Sequence, residues 1–294
     1  MDLSSIEFFH PSFDDTRGLL ILNLDHGKAN EMGSDSLDAF ERLCELVLRE
    51  PSITCLCTSS QRRSRKGTPI FIAGANVTER ADWSDEEVKI HVRRQRTLMQ
   101  RLRQLPIFTI ALTHGVTLGW GVEYLLTCDY TLVTPESSFA LPETGLGILP
   151  GARGTAELAA LVGTAQAMRL GCVGESIQST EALRIGLVQE AVKDLDAGIL
   201  RVRSFADQLS KRSPTAIAAF KRASLFAQGR PEMERIDAEA QAYEICIESG
   251  DAAIGRAHFP EIRAGQRPPW TPRTLHSTSL LFLPAFPCPT RKTE

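Results

Sequence analysis

The amino-acid sequence predicts an α/β fold followed by a mostly helical part. Short apolar runs at 18–24, 53–58 and 107–113 have the composition of buried strands. Segments with apolar residues at helical spacing separate these runs, and beyond about residue 155 the runs nearly disappear. Strands that alternate with helices are typical of a sheet covered by helices. We therefore expect an α/β core and then a helical region.

The first half of the chain alternates strand and helix. GLLILNL (18–24) is the first predicted strand, and Ser34 is expected to cap the helix that follows, since serine is a preferred N-cap residue. Pro51 ends that helix, and ITCLCT (53–58) is the second strand. The later elements are a basic loop at QRRSRK (61–66), a loop at FIAGAN (71–76), a helix over 85–105, a strand over 107–113, a glycine turn at 115–121, a helix over 122–127, a strand at YTLVT (130–134) and a Pro/Gly loop over 142–154.

The second half is predicted to be helical. The helices are expected over 155–162, 165–172, 180–185, 197–211, 214–228 and 231–248, and only GLVQEAV (186–192) has strand character. The last 24 residues contain four prolines and no periodicity, so we expect them to be disordered. The predicted organisation is a core over 1–200, a helical region over 201–270 and a tail over 271–294.

Composition and charge exclude several classes of protein. A chain of 294 residues with 43% hydrophobic residues is long and apolar enough to bury a sizeable core. A net charge of -3 offers no basic field for a phosphate backbone, so we expect no nucleic-acid partner. The seven cysteines form neither a disulfide ladder nor a CxxC metal pattern, which favours a reducing intracellular compartment and no metal site.

The sequence has no run that approaches a membrane helix, and its first residues do not resemble a signal peptide. We therefore expect an intracellular, cytoplasmic protein with no membrane partner. A peroxisomal or mitochondrial location stays open.

Two glutamates, Glu123 and Glu143, each directly follow a predicted tight turn, and their numbers differ by 20. Glu123 lies in the first turn of a predicted helix, where free backbone N–H groups favour negative charge. Two carboxylates on one apolar cleft can divide acid and base roles, because desolvation and mutual repulsion separate their pKa values. The alternative is one capping and one surface glutamate, since structural carboxylates outnumber catalytic ones.

Several motifs, in order, resemble the crotonase (enoyl-CoA hydratase/isomerase) superfamily over most of residues 15–270. They are KAN (28–30), FIAGAN (71–76), HGVTLGWGVEYLLTCDY (114–130), FALPETGLGILPGARGT (139–155), ESIQSTEALRIGLV (175–188), SPTAIAAFKRA (213–223) and FPEIRAGQRPPW (259–270). The spacing of 20 between the glutamates is also typical of hydratases in this family. The resemblance implies a repeated ββα core of the ClpP/crotonase type, followed by helices that mediate trimerisation.

The same resemblance implies an acyl-CoA substrate whose thioester carbonyl accepts hydrogen bonds from two backbone N–H groups, those of Ala75 and Trp120. Glu123 would activate a water for attack at C3 of a 2-enoyl thioester, and Glu143 would manage the proton at C2. CoA and substrate would lie along Lys28, Ala29, Ala73, Gly74, Gly119, Gly121 and Arg153. No metal and no cofactor beyond the CoA thioester substrate are implied, and the partners are an acyl-CoA and other copies of the chain in a homotrimer or hexamer.

The most favoured activity is reversible hydration of a 2-enoyl-CoA, in fatty-acid or secondary metabolism. If only Glu143 is productive, the enzyme would isomerise a 3-enoyl thioester instead. A decarboxylase or hydrolase of a carboxylated acyl-CoA, and a non-catalytic acyl-CoA-binding subunit, are further alternatives.

Three departures from the family pattern bear on the site. Trp120 replaces a glycine of a GGG turn, so its indole either packs into the core or a subunit interface, or reshapes or blocks the pocket. Arg153 replaces another glycine, and it either forms a surface or intersubunit ion pair, meets a carboxylate on the acyl chain, or lowers the pKa of Glu143. The QRRSRK loop either contacts CoA phosphates or faces water.

The other polar candidates are assigned structural roles. His114 is expected to fix a loop by hydrogen bonding, and His26 and His91 to be structural. Cys128 is expected to pack in the core.

Overall fold

The structure is a computed structural model that describes residues 1–273. These residues form two compact units, the first over Met1–Gln208 and the second from Leu209 onwards. Cys288 and most of the predicted tail, residues 274–294, lie outside the described residues. Within the part that the structure describes, no helix is long and apolar enough to span a membrane.

The first unit contains ten strands, six complete α-helices and most of a seventh. The strands are β1 (Pro11–Asp14), β2 (Leu19–Leu24), β3 (Cys55–Ser60), β4 (Ile70–Ile72), β5 (Phe108–Thr113), β6 (Val116–Leu118), β7 (Tyr130–Val133), β8 (Ser138–Ala140), β9 (Ile177–Gln178) and β10 (Glu190–Ala191). The α-helices are α1 (Ser34–Arg49), α2 (Asp85–Arg103), α3 (Trp120–Leu125), α4 (Gly154–Val162), α5 (Thr164–Val173), α6 (Ser179–Arg184) and α7 (Leu195–Leu209). Short 3₁₀ helices occupy Ser4–Phe9, Thr78–Arg80 and Glu143–Leu146.

The strands form two sheets. The larger sheet has the order β1-β2-β3-β5-β7-β10 and is parallel except for β1. The smaller sheet has the order β4-β6-β8-β9 and is parallel except for β9. Strand β3 is buried at all six positions, as expected for a parallel strand covered on both faces.

The two sheets are built from one repeated unit. In each repeat a strand of the larger sheet is followed by a strand of the smaller sheet and then by a helix: β3-β4-α2, β5-β6-α3 and β7-β8-α4. The predicted repeated ββα core is therefore confirmed.

Asn30 joins the ends of three strands. It is fully buried with a left-handed backbone, φ 54°, which asparagine tolerates better than most residues. Its Nδ2 donates to Ser60 Oγ at 2.9 Å, to the Phe71 carbonyl at 2.9 Å and to the Leu24 carbonyl at 3.3 Å. The KAN motif therefore holds β2, β3 and β4 together where these strands end.

Some element predictions were wrong in detail. The N-cap of α1 is Gly33, and Ser34 is its first residue. The second predicted strand begins at Cys55, two residues later than expected. The predicted FIAGAN loop overlaps strand β4 of the smaller sheet, and the predicted glycine turn contains strand β6. Strands of three residues carry too little periodicity to be recognised by pattern.

The second unit is helical, as predicted. Its helices are α8 (Pro214–Ala227), α9 (Glu232–Glu248), α10 (Asp251–Ala257) and α11 (Phe259–Arg263). Ser213 caps α8 by accepting from the Ala216 N–H at 2.9 Å, and its hydroxyl also donates to the buried Asp251 carboxylate.

Candidate functional site

Three segments that follow neighbouring strands of the smaller sheet form the candidate site. Ala75 lies three residues after β4, Trp120 two residues after β6, and Glu143 three residues after β8. These strands are adjacent and parallel, so their carboxyl ends meet at one edge of the sheet. The topology therefore brings together residues that are far apart in sequence.

The backbone N–H of Ala75 is left available by the contacts of its loop. Ala75 forms a parallel bridge with Met32, in which the Met32 N–H donates to the Gly74 carbonyl at 2.9 Å and the Asn76 N–H donates to the Met32 carbonyl at 2.8 Å. These two bonds involve the Gly74 carbonyl and the Asn76 N–H, which belong to the residues before and after Ala75. Its own N–H has no acceptor within residues 1–273.

Trp120 is the first residue of α3, so its N–H has no acceptor inside the helix. Its indole is 2% exposed and lies in the core, where Nε1 donates to Met99 Sδ at 3.2 Å. Of the alternatives left open by the sequence, the structure supports core packing for the indole.

Gly119 lies where these segments meet. Its φ of 50° and ψ of -117° suit only glycine, and a Cβ placed on it would lie 3.8 Å from the Gly74 Cα. The same Cβ would lie 2.7 Å from Glu143 Oε1. The residues that precede the two candidate N–H groups are therefore neighbours, and the Glu143 carboxylate lies beside them.

Glu123 is buried and firmly positioned. Glu123 is only 3% exposed, and its Oε1 accepts hydrogen bonds from the Ala152 N–H at 2.7 Å and from the Gly154 N–H at 2.8 Å. Burial raises the pKa of Glu123 to about 7; the two N–H groups oppose this shift, whereas the nearby charge of Glu143 adds to it. Because Oε1 is occupied, Oε2 is the oxygen that remains for a ligand.

Glu143 begins a 3₁₀ helix and is half-buried. Its Oε2 is buried without a hydrogen-bond partner among the described residues, and burial raises the pKa of this carboxyl. The two glutamates therefore differ in how they are held. Two backbone N–H groups of another segment hold Glu123, whereas Glu143 interacts with its own backbone N–H, which opposes the rise in its pKa.

The pH dependence of stability is expected to report the burial of Glu123. Its pKa is about 7 when folded and near 4.5 when unfolded, so the stabilising contribution of the protonated form is complete below pH 4.5 and is lost as the pH rises through 7. In the Glu123→Gln variant this loss is absent. We expect its free energy of unfolding, relative to wild type, to be higher at pH 8 than at pH 5 by up to about 3 kcal/mol.

Urea unfolding at the two pH values measures this difference. Glu45→Gln is the matched control, because the Glu45 side chain is 53% exposed. Equal pH dependence in wild type and Glu123→Gln would show that Glu123 has an ordinary pKa.

Arg153 is held by intramolecular contacts. Its guanidinium pairs with Glu157 and donates to the Gln100 side chain. The hypothesis that Arg153 lowers the pKa of Glu143 was wrong, since burial raises that pKa and Arg153 is not among the causes. A role of Arg153 in binding substrate stays a prediction.

The other predicted binding residues lie near the loop of Ala75. Ala29 accepts from the Ala73 N–H at 3.1 Å, so the KAN segment lies alongside the segment after β4. Lys28 is exposed beside it. Gly121 packs against β4, since a Cβ on it would lie 2.5 Å from the Ile72 carbonyl oxygen. Whether CoA contacts any of them stays a prediction.

The structural roles assigned to polar residues are confirmed for His114 and Cys128. His114 Nδ1 lies 3.0 Å from Thr134 Oγ1, and burial lowers the pKa of this histidine. Cys128 packs against the core, and its thiol lies 3.6 Å from the Tyr124 carbonyl. In the QRRSRK loop, Arg62 pairs with Asp25 at 2.6 Å.

Sequence reasoning missed one residue that supports the site from outside it. Arg96 of α2 donates through Nε to the Gly151 carbonyl at 3.0 Å, next to the N–H groups that hold Glu123. Its charge also lowers the pKa of Glu123. An exposed arginine on a polar helix face gives no sequence signal that separates it from its neighbours.

Comparison with solved structures defines the class of fold. Enoyl-CoA hydratase from Bacillus anthracis superposes with a TM-score of 0.79 at 28% identity, over 87% of this chain and 96% of that chain. The chain has the crotonase fold.

Sequence comparisons then give the family. The family model described as enoyl-CoA hydratase/isomerase matches residues 66–272, which is more than half of the chain. "Probable enoyl-CoA hydratase 2, mitochondrial" of Arabidopsis thaliana is 30% identical over 84% of this chain and 80% of its own length. A protein of Bacillus subtilis named "Probable enoyl-CoA hydratase" is 28% identical over 84% of this chain and 93% of its own length. The chain belongs to the enoyl-CoA hydratase/isomerase family, and it is a crotonase-type, acyl-CoA-processing enzyme.

Proposed function

We propose that this protein is an enoyl-CoA hydratase that adds water reversibly to a 2-enoyl-CoA. The observation that carries the proposal is the arrangement around Gly119. The Glu143 carboxylate lies beside this glycine, and Glu123 is near enough for the charge of Glu143 to raise its pKa. The backbone N–H groups of Ala75 and Trp120, which have no acceptor among the described residues, follow the neighbouring residues Gly74 and Gly119. Hydration of an enoyl thioester needs these elements: an oxyanion site and two groups that exchange protons.

The N–H groups of Ala75 and Trp120 are proposed to bind the thioester oxygen. Attack of water at C3 moves electrons through C2 onto this oxygen, so negative charge develops there in the transition state. Two fixed donors stabilise that charge without reorganising during the reaction, which is worth about 100-fold to 1,000-fold per donor. Both donors are backbone groups, so the substitution of glycine by Trp120 leaves this chemistry in place.

The two carboxyl groups are proposed to move the protons. Ionised Glu123 accepts a proton from water through Oε2 as the water oxygen bonds to C3. Protonated Glu143 delivers a proton to C2, so that the elements of water are added across the double bond. A proton then returns from Glu123 to Glu143 to restore the starting state. Burial raises the pKa of Glu143, which favours its protonated form, and a pKa of about 7 lets Glu123 exist in either form.

Coenzyme A is proposed to lie along Lys28 and Ala29 and the segment Ala73–Ala75. The exposed Lys28 ammonium suits the phosphates of CoA, while the backbone groups of the loop face the pantetheine arm and the adenine.

The proposed activity is tested by mixing the enzyme with 2-enoyl-CoAs of four to sixteen carbons and following the absorbance of the enoyl group, which disappears on hydration. We expect wild type to hydrate one class of chain length. If no length is hydrated, the hydratase proposal fails.

Isomerisation of a 3-enoyl-CoA is the second candidate, because the Glu143 carboxylate lies against the oxyanion segment at Gly119. In that reaction Glu143 moves a proton between C2 and C4 and Glu123 is dispensable. Turnover of a 3-enoyl-CoA by the Glu123→Gln variant at the wild-type rate would support the isomerase.

Assembly of several copies, a trimer or hexamer, remains part of the proposal. The second unit exposes several large apolar side chains, which are Phe220, Met233, Ile236, Tyr243, Ile247 and Phe259. Exposed apolar residues of this size are typical of surfaces that contact another chain.

A further inference from the structure

Arg80 is a half-buried arginine whose guanidinium is only partly satisfied by the described residues. It ends the 3₁₀ helix Thr78–Arg80, and its Nε and Nη2 atoms are buried without a hydrogen-bond partner among residues 1–273. Burial lowers the pKa of this guanidinium. Buried guanidinium nitrogens without acceptors are costly, so these two atoms call for a partner.

A histidine beside Arg80 likewise has a buried nitrogen atom without a hydrogen-bond partner among the described residues. His91 of α2 is 6% exposed, and its Nε2 is buried without a hydrogen-bond partner in the described part of the chain. Its ring packs on that of Trp83, with centroids 5.1 Å apart. Burial lowers the pKa of His91, and the charge of Arg80 lowers it further, so the imidazole stays neutral and can donate a hydrogen bond.

The nearest acid is already occupied. Glu79 attracts Arg80 electrostatically, but its carboxylate accepts from the Ser34 N–H at 3.0 Å and from the Ser34 hydroxyl. No ion pair within residues 1–273 includes Arg80. Arg94, the next cation of this region, is paired with Asp38 and Glu41. The group that is missing at Arg80 is therefore an acceptor, and the charge favours an anion.

The position of this pair relates it to the proposed thioester site. From Ala75 the chain turns tightly to Arg80, through hydrogen bonds from the Val77 N–H to the Ala75 carbonyl at 2.9 Å and from the Arg80 N–H to the Val77 carbonyl at 3.2 Å. On α2, His91 shares the buried face with Met99, which contacts the Trp120 indole. Eight residues of helix separate the two, which is about 12 Å. Five residues of loop and about two turns of helix thus connect Arg80 and His91 to the segments of Ala75 and Trp120.

We propose that Arg80 and His91 bind a carboxylate at the far end of the acyl chain, so that the substrate is the CoA thioester of a dicarboxylic acid. This inference rests on the proposed function for the orientation of the thioester. A carboxylate accepts from Nε and Nη2 of Arg80 together, and its remaining lone pairs accept from His91 Nε2. Arg153, the arginine for which the sequence suggested this role, is already paired with Glu157.

Binding of saturated acyl-CoAs tests the inference without requiring turnover. The probes are pairs of equal length that end in a carboxylate or a methyl group, such as glutaryl-CoA and pentanoyl-CoA, from five to eight carbons. The proteins are wild type, Arg80→Met, which replaces the aliphatic part of the side chain and removes the guanidinium, and Arg80→Lys, which keeps its charge. Arg49→Met is the matched control, because Arg49 is exposed at the end of α1.

In wild type, we expect the carboxylate probe of one length to bind at least about 30-fold more tightly than its methyl counterpart. Arg80→Met is expected to abolish this preference while binding the methyl probe normally, Arg80→Lys to retain part of it, and Arg49→Met to retain all of it. Equal binding of both probes by wild type at every length, or an equal loss of both in Arg80→Met, would overturn the inference. Hydration of unsubstituted 2-enoyl-CoAs is measured separately, so failure of the proposed activity is distinguishable from failure at Arg80.

Discussion

Replacing Glu143 with glutamine is expected to lower kcat for hydration of a 2-enoyl-CoA by about 100-fold or more, with little change in KM. Glutamine keeps the shape of the side chain but cannot deliver a proton to C2. Glu143 Oε2 has no hydrogen-bond partner among the described residues, so the substitution breaks no contact that supports the fold. Rates are measured at saturating substrate, and thermal unfolding verifies that the variant is folded.

Glu123→Gln is the informative comparison, because hydration needs both carboxyl groups whereas isomerisation needs only Glu143. Residues that act as a unit are strongly non-additive, so the double variant should be about as slow as the slower single variant. The exposed Glu45 provides the control substitution to glutamine. A Glu143→Gln enzyme with wild-type kcat would rule out the proton role of Glu143, whatever the result at Glu123.

The elements that sequence pattern predicted well are those that bury one long apolar face. Strand β2 and helices α1 and α2 lie within a few residues of their predicted bounds, since their periodicity extends over six to nineteen residues. The smaller sheet was invisible to the same reasoning. Its strands β4, β6 and β8 have three residues each and are specified by pairing with one another, not by local pattern. The family resemblance, which rests on whole motifs, predicted the repeated ββα arrangement, which periodicity could not predict.

The candidate site was predicted to a similar extent. Glu123, Glu143 and the loop residues Ala75 and Trp120 were identified from their motifs, and the strand order explains why they converge. Arg80 was not identified, because the sequence shows only one more charged residue in a polar loop. Its significance comes from the burial of its nitrogen atoms without partners, which depends on how α2 packs over the loop.

Gly119→Ala is expected to lower kcat for hydration by about 100-fold to 1,000-fold. At φ 50° and ψ -117° an alanine is strained, and its Cβ would lie 2.7 Å from Glu143 Oε1. Relief of this clash must either turn the backbone, which displaces the Trp120 N–H, or push the Glu143 carboxylate aside. Gly145→Ala is the matched control, because Gly145 lies in the 3₁₀ helix that begins at Glu143, and a Cβ there would meet nothing within 4 Å.

The double variant Gly119→Ala/Glu143→Gln separates the two routes. If Gly119→Ala acts only by displacing the carboxylate, the double variant will hydrate no more slowly than Glu143→Gln. We expect it to be slower than either single variant, because loss of a fixed N–H donor removes stabilisation of the thioester oxygen that no carboxyl group replaces. A Gly119→Ala enzyme with the kcat of Gly145→Ala would show that the Trp120 N–H does not serve as an oxyanion donor and that Glu143 tolerates a methyl group against it.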